Sequence, residues 1–189
     1  MRHVGAFALL TVVLAACGSP ETSGDGPTPS AQPPSLAPTD FQAPAVTTPL
    51  DTARLQKAPC DSLTPEHLSS LGAADGAEQR NQGGLTCRWT YGGDGAVTVL
   101  WSAEAGLDAV YQTRQLSAYF EPLPELDGYP AVTSERHDNR PTGACSIHVG
   151  TAETTMFTVS VQQPRTQVDT PCSTATAAAS VVLATAENG

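Results

Sequence analysis

The chain has 189 residues, 40% of them hydrophobic, which is enough for one domain of ordinary size plus accessory segments. Nine Lys and Arg against nineteen Asp and Glu give a net charge of −10. Such an acidic surface repels phosphate backbones and anionic lipid alike, so nucleic-acid binding and purely electrostatic membrane docking are disfavoured.

The chain opens Met1-Arg2-His3, continues as an apolar run over residues 4–13, and reaches Leu14-Ala15-Ala16-Cys17-Gly18. A basic start, a short apolar stretch and small residues before a cut site predict an export signal over residues 1–16. The run is too short for the ~20 residues of a membrane-spanning helix. Leu14-Ala15-Ala16-Cys17 resembles the lipobox of bacterial lipoproteins, in which the cysteine sulfur receives a diacylglyceryl group before the signal is removed. The resemblance implies a mature chain starting at lipidated Cys17, with palmitate-type acyl chains holding it on the extracytoplasmic face of the cell membrane. Two acyl chains, at ~0.8 kcal/mol per buried methylene, give stable anchoring.

Residues 17–58 hold eight of the sixteen prolines, together with many Ser, Thr and Ala. A stretch of this composition cannot bury enough apolar surface to offset its ordering entropy, so it reads as a disordered linker. It has no P-x-x-P core with basic flanks, which favours a plain spacer over a recruitment motif. The folded α+β domain is expected over residues 59–189.

Leu63-Thr64-Pro65-Glu66 predicts a helix start, with Thr64 as cap, Pro65 at the first helical position, Leu63 stapling to Leu68, and Gly72 as the stop. Residues 85–91 alternate, placing Leu85, Cys87, Trp89 and Tyr91 on one face of a strand. Gly92-Gly93-Asp94-Gly95 leads into strand residues 96–101 rather than a helix, so it reads as a hairpin turn and not a phosphate cradle. Residues 106–120 have helical spacing through Leu107, Val110, Tyr111 and Ala118, closed by Pro122 and Pro124. Strands are expected at 129–135, 144–149 and 154–162, and a final helix at 173–186 with Ala175, Ala178, Ala179, Val182 and Ala186 in one stripe. The order α-β-β-α-β-β-β-α predicts an antiparallel sheet of about five strands covered by helices.

Five cysteines are an odd set; with Cys17 committed to lipid, four remain, which predicts two disulfides in an oxidising compartment. Cys87 and Cys145 lie on the inward faces of their strands, and Cys60 and Cys172 each follow a proline beside the first and last helices. The expected pairs are therefore Cys60 with Cys172 and Cys87 with Cys145. No C-x-x-C spacing or partnering histidine accompanies them, so no metal site is expected.

Pro59-Cys60 with Leu63-Thr64-Pro65-Glu66, Cys87-Arg88-Trp89, Gly128-Tyr129-Pro130-Ala131, Cys145 with its strand, and Pro171-Cys172 before an Ala-rich helix resemble, together with the lipobox and spacer, the actinobacterial lipoproteins called domain of unknown function 3558. The resemblance supplies no catalytic residues. The element order is also loosely similar to Mog1/PsbP-like sheet modules, which implies a binding or accessory role.

No G-x-S-x-G elbow, H-E-x-x-H helix or paired acidic motif is present. His148 alternates outward as a solvated strand residue, His67 falls in a first helical turn, and His137 sits in a polar turn. Trp89, Tyr91, Trp101 and Tyr129 are candidates for a ligand surface or, by their alternation with Cys87, for the core. The sequence therefore predicts an anchored envelope module that needs no cofactor and binds an envelope protein, lipid or cell-wall ligand; the alternative is an extracytoplasmic, hydrolase-like enzyme.

Overall fold

A computed structural model describes residues 41–81 and 84–189. The predicted signal peptide, Cys17 and the first part of the predicted linker lie outside the described residues. The domain is built on seven strands: β1 (Ala77–Asn81), β2 (Gly84–Tyr91), β3 (Gly95–Ser102), β4 (Tyr119–Pro122), β5 (Ala131–Glu135), β6 (Ala144–Ala152) and β7 (Thr155–Gln162). They form one fully antiparallel sheet in the order β1-β2-β3-β7-β6-β5-β4. Two hairpin-connected runs, β1–β3 and β4–β7, thus meet at the central β3–β7 pair.

Helices α1 (Ala53–Lys57), α2 (Pro65–Leu71), α3 (Asp108–Gln112) and α4 (Pro171–Glu187) complete the fold. Thr64 caps α2 by accepting from the His67 backbone N–H at 3.2 Å, and Gly72 ends it in the left-handed conformation, as the sequence predicts. Pro171 starts α4 at a position where its missing N–H costs nothing. The α4 stripe Ala175, Ala178, Ala179, Val182 and Leu183 is fully buried against β6 and β7. Small alanines let this helix lie close to the sheet, over Cys145, Ile147, Phe157 and Val159. Each large aliphatic or Phe side chain so buried contributes ~1.5–3 kcal/mol.

Toward β2 and β3 the same sheet face is covered by α1 and a 3-10 turn over Pro59–Ser62. There Trp101 donates its indole N–H to Ser62 Oγ at 2.9 Å, and its ring lies 4.9 Å from that of Phe157.

Three expectations are corrected here. The sheet has seven strands, not about five. β1 was not anticipated because Ala-Glu-Gln-Arg-Asn shows no apolar alternation; it is an edge strand held to β2 by its ladder. β4 occupies residues placed in the helix 106–120: α3 covers only Asp108–Gln112, a 3-10 turn spans Arg114–Leu116, and Tyr119–Pro122 pairs with β5. The apolar spacing that suggested a longer helix instead builds a second small cluster, Leu107 and Tyr111 against Val132, with the Phe120 ring edge-on to Tyr111.

The linker predicted over residues 17–58 does not extend to 58. Leu50 N–H donates to the Thr151 carbonyl at 2.9 Å, Leu55 is buried, and Val46 packs against the core. Proline content marked this segment as unstructured, but a strap can borrow hydrogen bonds and apolar contacts from a finished domain.

The disulfides join Cys60 to Cys87 and Cys145 to Cys172, not Cys60 to Cys172 and Cys87 to Cys145. The strand order gives the reason. β3 and β7 lie between β2 and β6, so Cys87 and Cys145 are three strand spacings apart, roughly 14 Å, well outside the ~7 Å Cα limit for a disulfide. Each inward cysteine instead pins the segment lying over it, the 3-10 turn at Cys60 or the start of α4 at Cys172.

A candidate binding hollow on the open sheet face

Strand alternation sends every second side chain to the face away from α4. The ladder aligns these into rungs. Leu100, Thr158, His148 and Val132 form one, Thr98, Ser160 and Ser146 the next, and Ser102 with Met156 the one before. Ala109, Val110 and Thr113 from α3 and its C-terminal end wall one side, and residues 135–137 with Asn139 close the far end. The result is a hollow of about 510 Å³. That lies within the ~300–1,000 Å³ usual for small-ligand sites.

Its floor is hydrogen-bonded before any ligand arrives. Ser146 Oγ donates to Glu135 Oε1 at 2.7 Å and lies 2.8 Å from Ser160 Oγ. Ser117 and Ser134 hydroxyls are 2.8 Å apart. His148 uses both ring nitrogens, with Nδ1 2.9 Å from Thr158 Oγ1 and Nε2 3.1 Å from the Ser134 carbonyl. A carbonyl only accepts, so Nε2 carries the proton and neutral His148 accepts the Thr158 hydroxyl proton at Nδ1. Burial pushes the His148 pKa below its ordinary value, outweighing the opposing pull of the Ser134 carbonyl and Glu135. Burial, rather than its hydrogen-bond partners, is what favours the neutral ring.

A second hollow, about 580 Å³, lies among Asp94, Thr142, Gln162, Gln163, Arg165 and Val168. Its charged groups, Asp94 and Arg165, pair with each other at 3.4 Å, and its walls are mainly loop side chains. The sheet-face hollow is therefore the better-formed candidate.

Of the residues singled out from sequence, Trp89, Trp101 and Tyr129 are 1%, 3% and 5% exposed on the packed face, and none lines the hollow. They are core. His148 is not a solvated strand residue but half-buried in the floor of the hollow, because α3 rises over the face its alternation sends it to. His137 stands exposed in a turn at the rim, as expected. His67 lies in the first turn of α2 with Nε2 buried and unpartnered among the described residues, and desolvation lowers its pKa. Ser134, Glu135, Ser146, Thr158 and Ser160 were missed. For Ser134, Ser146, Thr158 and Ser160 the signal was the outward half of the strand alternation, whereas Glu135, at the end of β5, has the other parity and gave none. Among the described residues, no group of three or more His, Cys, Asp or Glu is placed to hold a metal, and no helix is long and apolar enough to cross a membrane.

Fold and site together define a disulfide-stapled α+β module whose antiparallel sheet is packed on one face and hollowed on the other. The chain belongs to the family described as Protein of unknown function (DUF3558), whose model matches residues 12–185. No curated protein and no solved structure matches it, so the loose likeness to Mog1/PsbP-like modules gains no structural counterpart.

Proposed function

We propose that this chain is an envelope lipoprotein, anchored through a diacylglyceryl group on Cys17, whose extracytoplasmic domain binds an envelope ligand in the sheet-face hollow. The observation that carries the reading is the hollow itself: a preformed, hydroxyl-lined depression on the one sheet face that no long helix covers. Leu14-Ala15-Ala16-Cys17 supports the anchor, and two disulfides suit an oxidising compartment. With the strap at 41–58 packed on the domain, the tether shortens to the residues between Cys17 and Phe41. Replacing Cys17 with Ala is expected to release the protein into the medium, and persistence in the membrane fraction would refute the anchor. A photo-cross-linker at Thr113 is expected to capture a partner that the same group at Glu78, on β1, does not; equal capture would refute the hollow as the site.

One observation favours the alternative, an extracytoplasmic hydrolase-like enzyme. The Thr158 hydroxyl donates to neutral His148, which is oriented by the Ser134 carbonyl, an arrangement of nucleophile, base and orienter. Turnover of an ester substrate that is lost in both Thr158→Val and His148→Ala would replace the binding reading with this one.

A further inference from the structure

The hydrogen-bond directions in the floor of the hollow can be followed proton by proton. His148 Nε2–H is spent on the Ser134 carbonyl at 3.1 Å, and the Thr158 hydroxyl donates to His148 Nδ1 at 2.9 Å. Ser146 Oγ gives its proton to Glu135 Oε1 at 2.7 Å. The 2.8 Å contact between Ser146 and Ser160 must then use the proton of Ser160, since Ser146 has none left to give. Thr113, on the wall, turns its hydroxyl back to the Ala109 carbonyl at 2.9 Å. Around Thr158 and Ser160 the floor therefore offers lone pairs and no protons.

Two of those acceptors stand together. Ser160 is half-buried, and its Oγ, having donated, keeps its lone pairs. Glu135 accepts from Ser146 and, at 3.4 Å, from the Asn139 amide, which fills only part of the capacity of a carboxylate. Both lie within hydrogen-bond distance of the same Ser146 hydroxyl, so one small head group reaches the two. Charge does not bias the site. Glu135 and Asp138 stand against Arg136 and Arg140, with His137 counted neutral, so the rim sums to zero. Away from Ser160 the lining is hydrocarbon. On the open face of β7, Met156, Thr158 and Ser160 follow one another over about 13 Å, at ~3.3 Å per residue. Leu100 lies across from Thr158, and Val110 of α3 packs with Met156 against the same small cluster.

Resting on the hollow being the ligand site, we propose that it takes an uncharged single-chain amphiphile with a hydroxyl head, the head donating at Ser160 and Glu135 and the tail lying along Leu100, Val110 and Met156. An ether of the same chain brings only lone pairs to a floor of lone pairs and gains no hydrogen bond there. A charged head loses its hydration on entering and finds no net charge to compensate it. The tail covers apolar side chains that are half-buried without it.

The test is an NMR titration of the isotope-labelled, exported full chain carrying Cys17→Ser, following the Thr158 and Ser160 amide signals. The probes are octanol, octyl methyl ether, octyl sulfate and octyl trimethylammonium, each below its micelle or solubility limit. Saturable binding of octanol is expected, about fivefold tighter than that of the ether, the worth of one net hydrogen bond, and tighter than that of either ion. Ser160→Ala is expected to bring octanol down to the level of the ether. It strands no donor, because Ser146 keeps its bond to Glu135. Val110→Ser with Met156→Ser is expected to weaken octanol and ether alike, and a thermal melt of each variant checks that it folds. Ether binding as tightly as octanol would remove recognition of the hydroxyl proton, and either ion binding as tightly would remove the preference for an uncharged head. Each of these overturns the proposal, as does a Ser160→Ala variant that keeps the parent's preference or the absence of any shift. If octanol fails while the Thr113 cross-linker still captures a partner, the ligand class falls and the binding module stands.

Discussion

Thr158 Oγ1 lies 2.9 Å from Nδ1 of His148, between residues that face each other directly across the β6–β7 ladder. In the neutral imidazole Nδ1 accepts the hydroxyl proton; protonation would reverse the bond, Nδ1–H then donating to Thr158 Oγ1. Burial lowers the pKa of both His148 and His67, so below about pH 6.5 the unfolded chain binds protons that the folded chain refuses. The stabilisation is present above that pH and is lost as pH falls toward the lowered folded values. Each histidine adds at most about 1.4 kcal/mol per pH unit to the slope. The thermal midpoint is expected to drop between pH 7 and pH 5, and His67→Asn with His148→Asn is expected to flatten most of the drop; a double variant with the parent's slope would show that other groups set it.

The disulfide pattern is open to direct chemistry. Non-reducing peptide mapping is expected to link the Cys60 peptide to the Cys87 peptide and the Cys145 peptide to the Cys172 peptide. Each bond closes a sequence separation of 27 residues, for which the loss of unfolded-state entropy predicts roughly 3–4 kcal/mol of stabilisation. Replacing either pair by alanine is expected to lower denaturant-derived stability by about that amount. A Cys87–Cys145 peptide would contradict the strand order.

The sequence carried most of the covered sheet face and little of the open one. Cys87, Trp89, Ile147, Val149 and the α4 stripe were legible because burial on one side imposes a period that composition reveals. β1 was not, since an edge strand of polar residues is held by backbone hydrogen bonds to β2 and needs no apolar face. Nor was the pairing of cysteines, which depends on β7 inserting between β3 and β6, a long-range choice that no local pattern encodes. The hollow was hidden for a related reason. Ser146, Thr158 and Ser160 look like the solvated half of an ordinary strand until α3, shorter than its periodicity suggested, turns over them and β4 extends the sheet beyond β5.

Ser62 and Trp101 offer a test of how the strap-side cover is held. Both are buried, and the hydroxyl at 2.9 Å accepts the indole N–H. In Ser62→Ala that donor is left without its partner in an apolar setting, at a cost of about 1–3 kcal/mol. Trp101→Phe in the Ser62→Ala background removes the stranded donor, so the double variant is expected to recover part of the loss seen in Ser62→Ala alone. Strict additivity in a double-mutant cycle would show that the bond contributes nothing.

The wall of the hollow depends on a close backbone approach just before α3. A Cβ built on Gly106 meets the Glu153 carbonyl oxygen and carbon in the β6–β7 turn, at separations that no side-chain carbon tolerates. Both partners are backbone, so no rotamer change relieves the clash, and Gly106→Ala must move either the turn or the start of α3. Overpacking of this kind costs ~1–3 kcal/mol. The turn is tied into the β6–β7 ladder, by Ala152 pairing with Thr155, whereas α3 is only five residues long, so α3 is the element expected to shift. Its displacement carries Ala109 and Val110 away from Met156 and widens the hollow. Gly106→Ala is therefore expected to lower the thermal midpoint modestly and to reduce Thr113 cross-linking to its partner by far more than the stability loss explains. A variant that melts early but cross-links normally would separate the α3 wall from the binding surface.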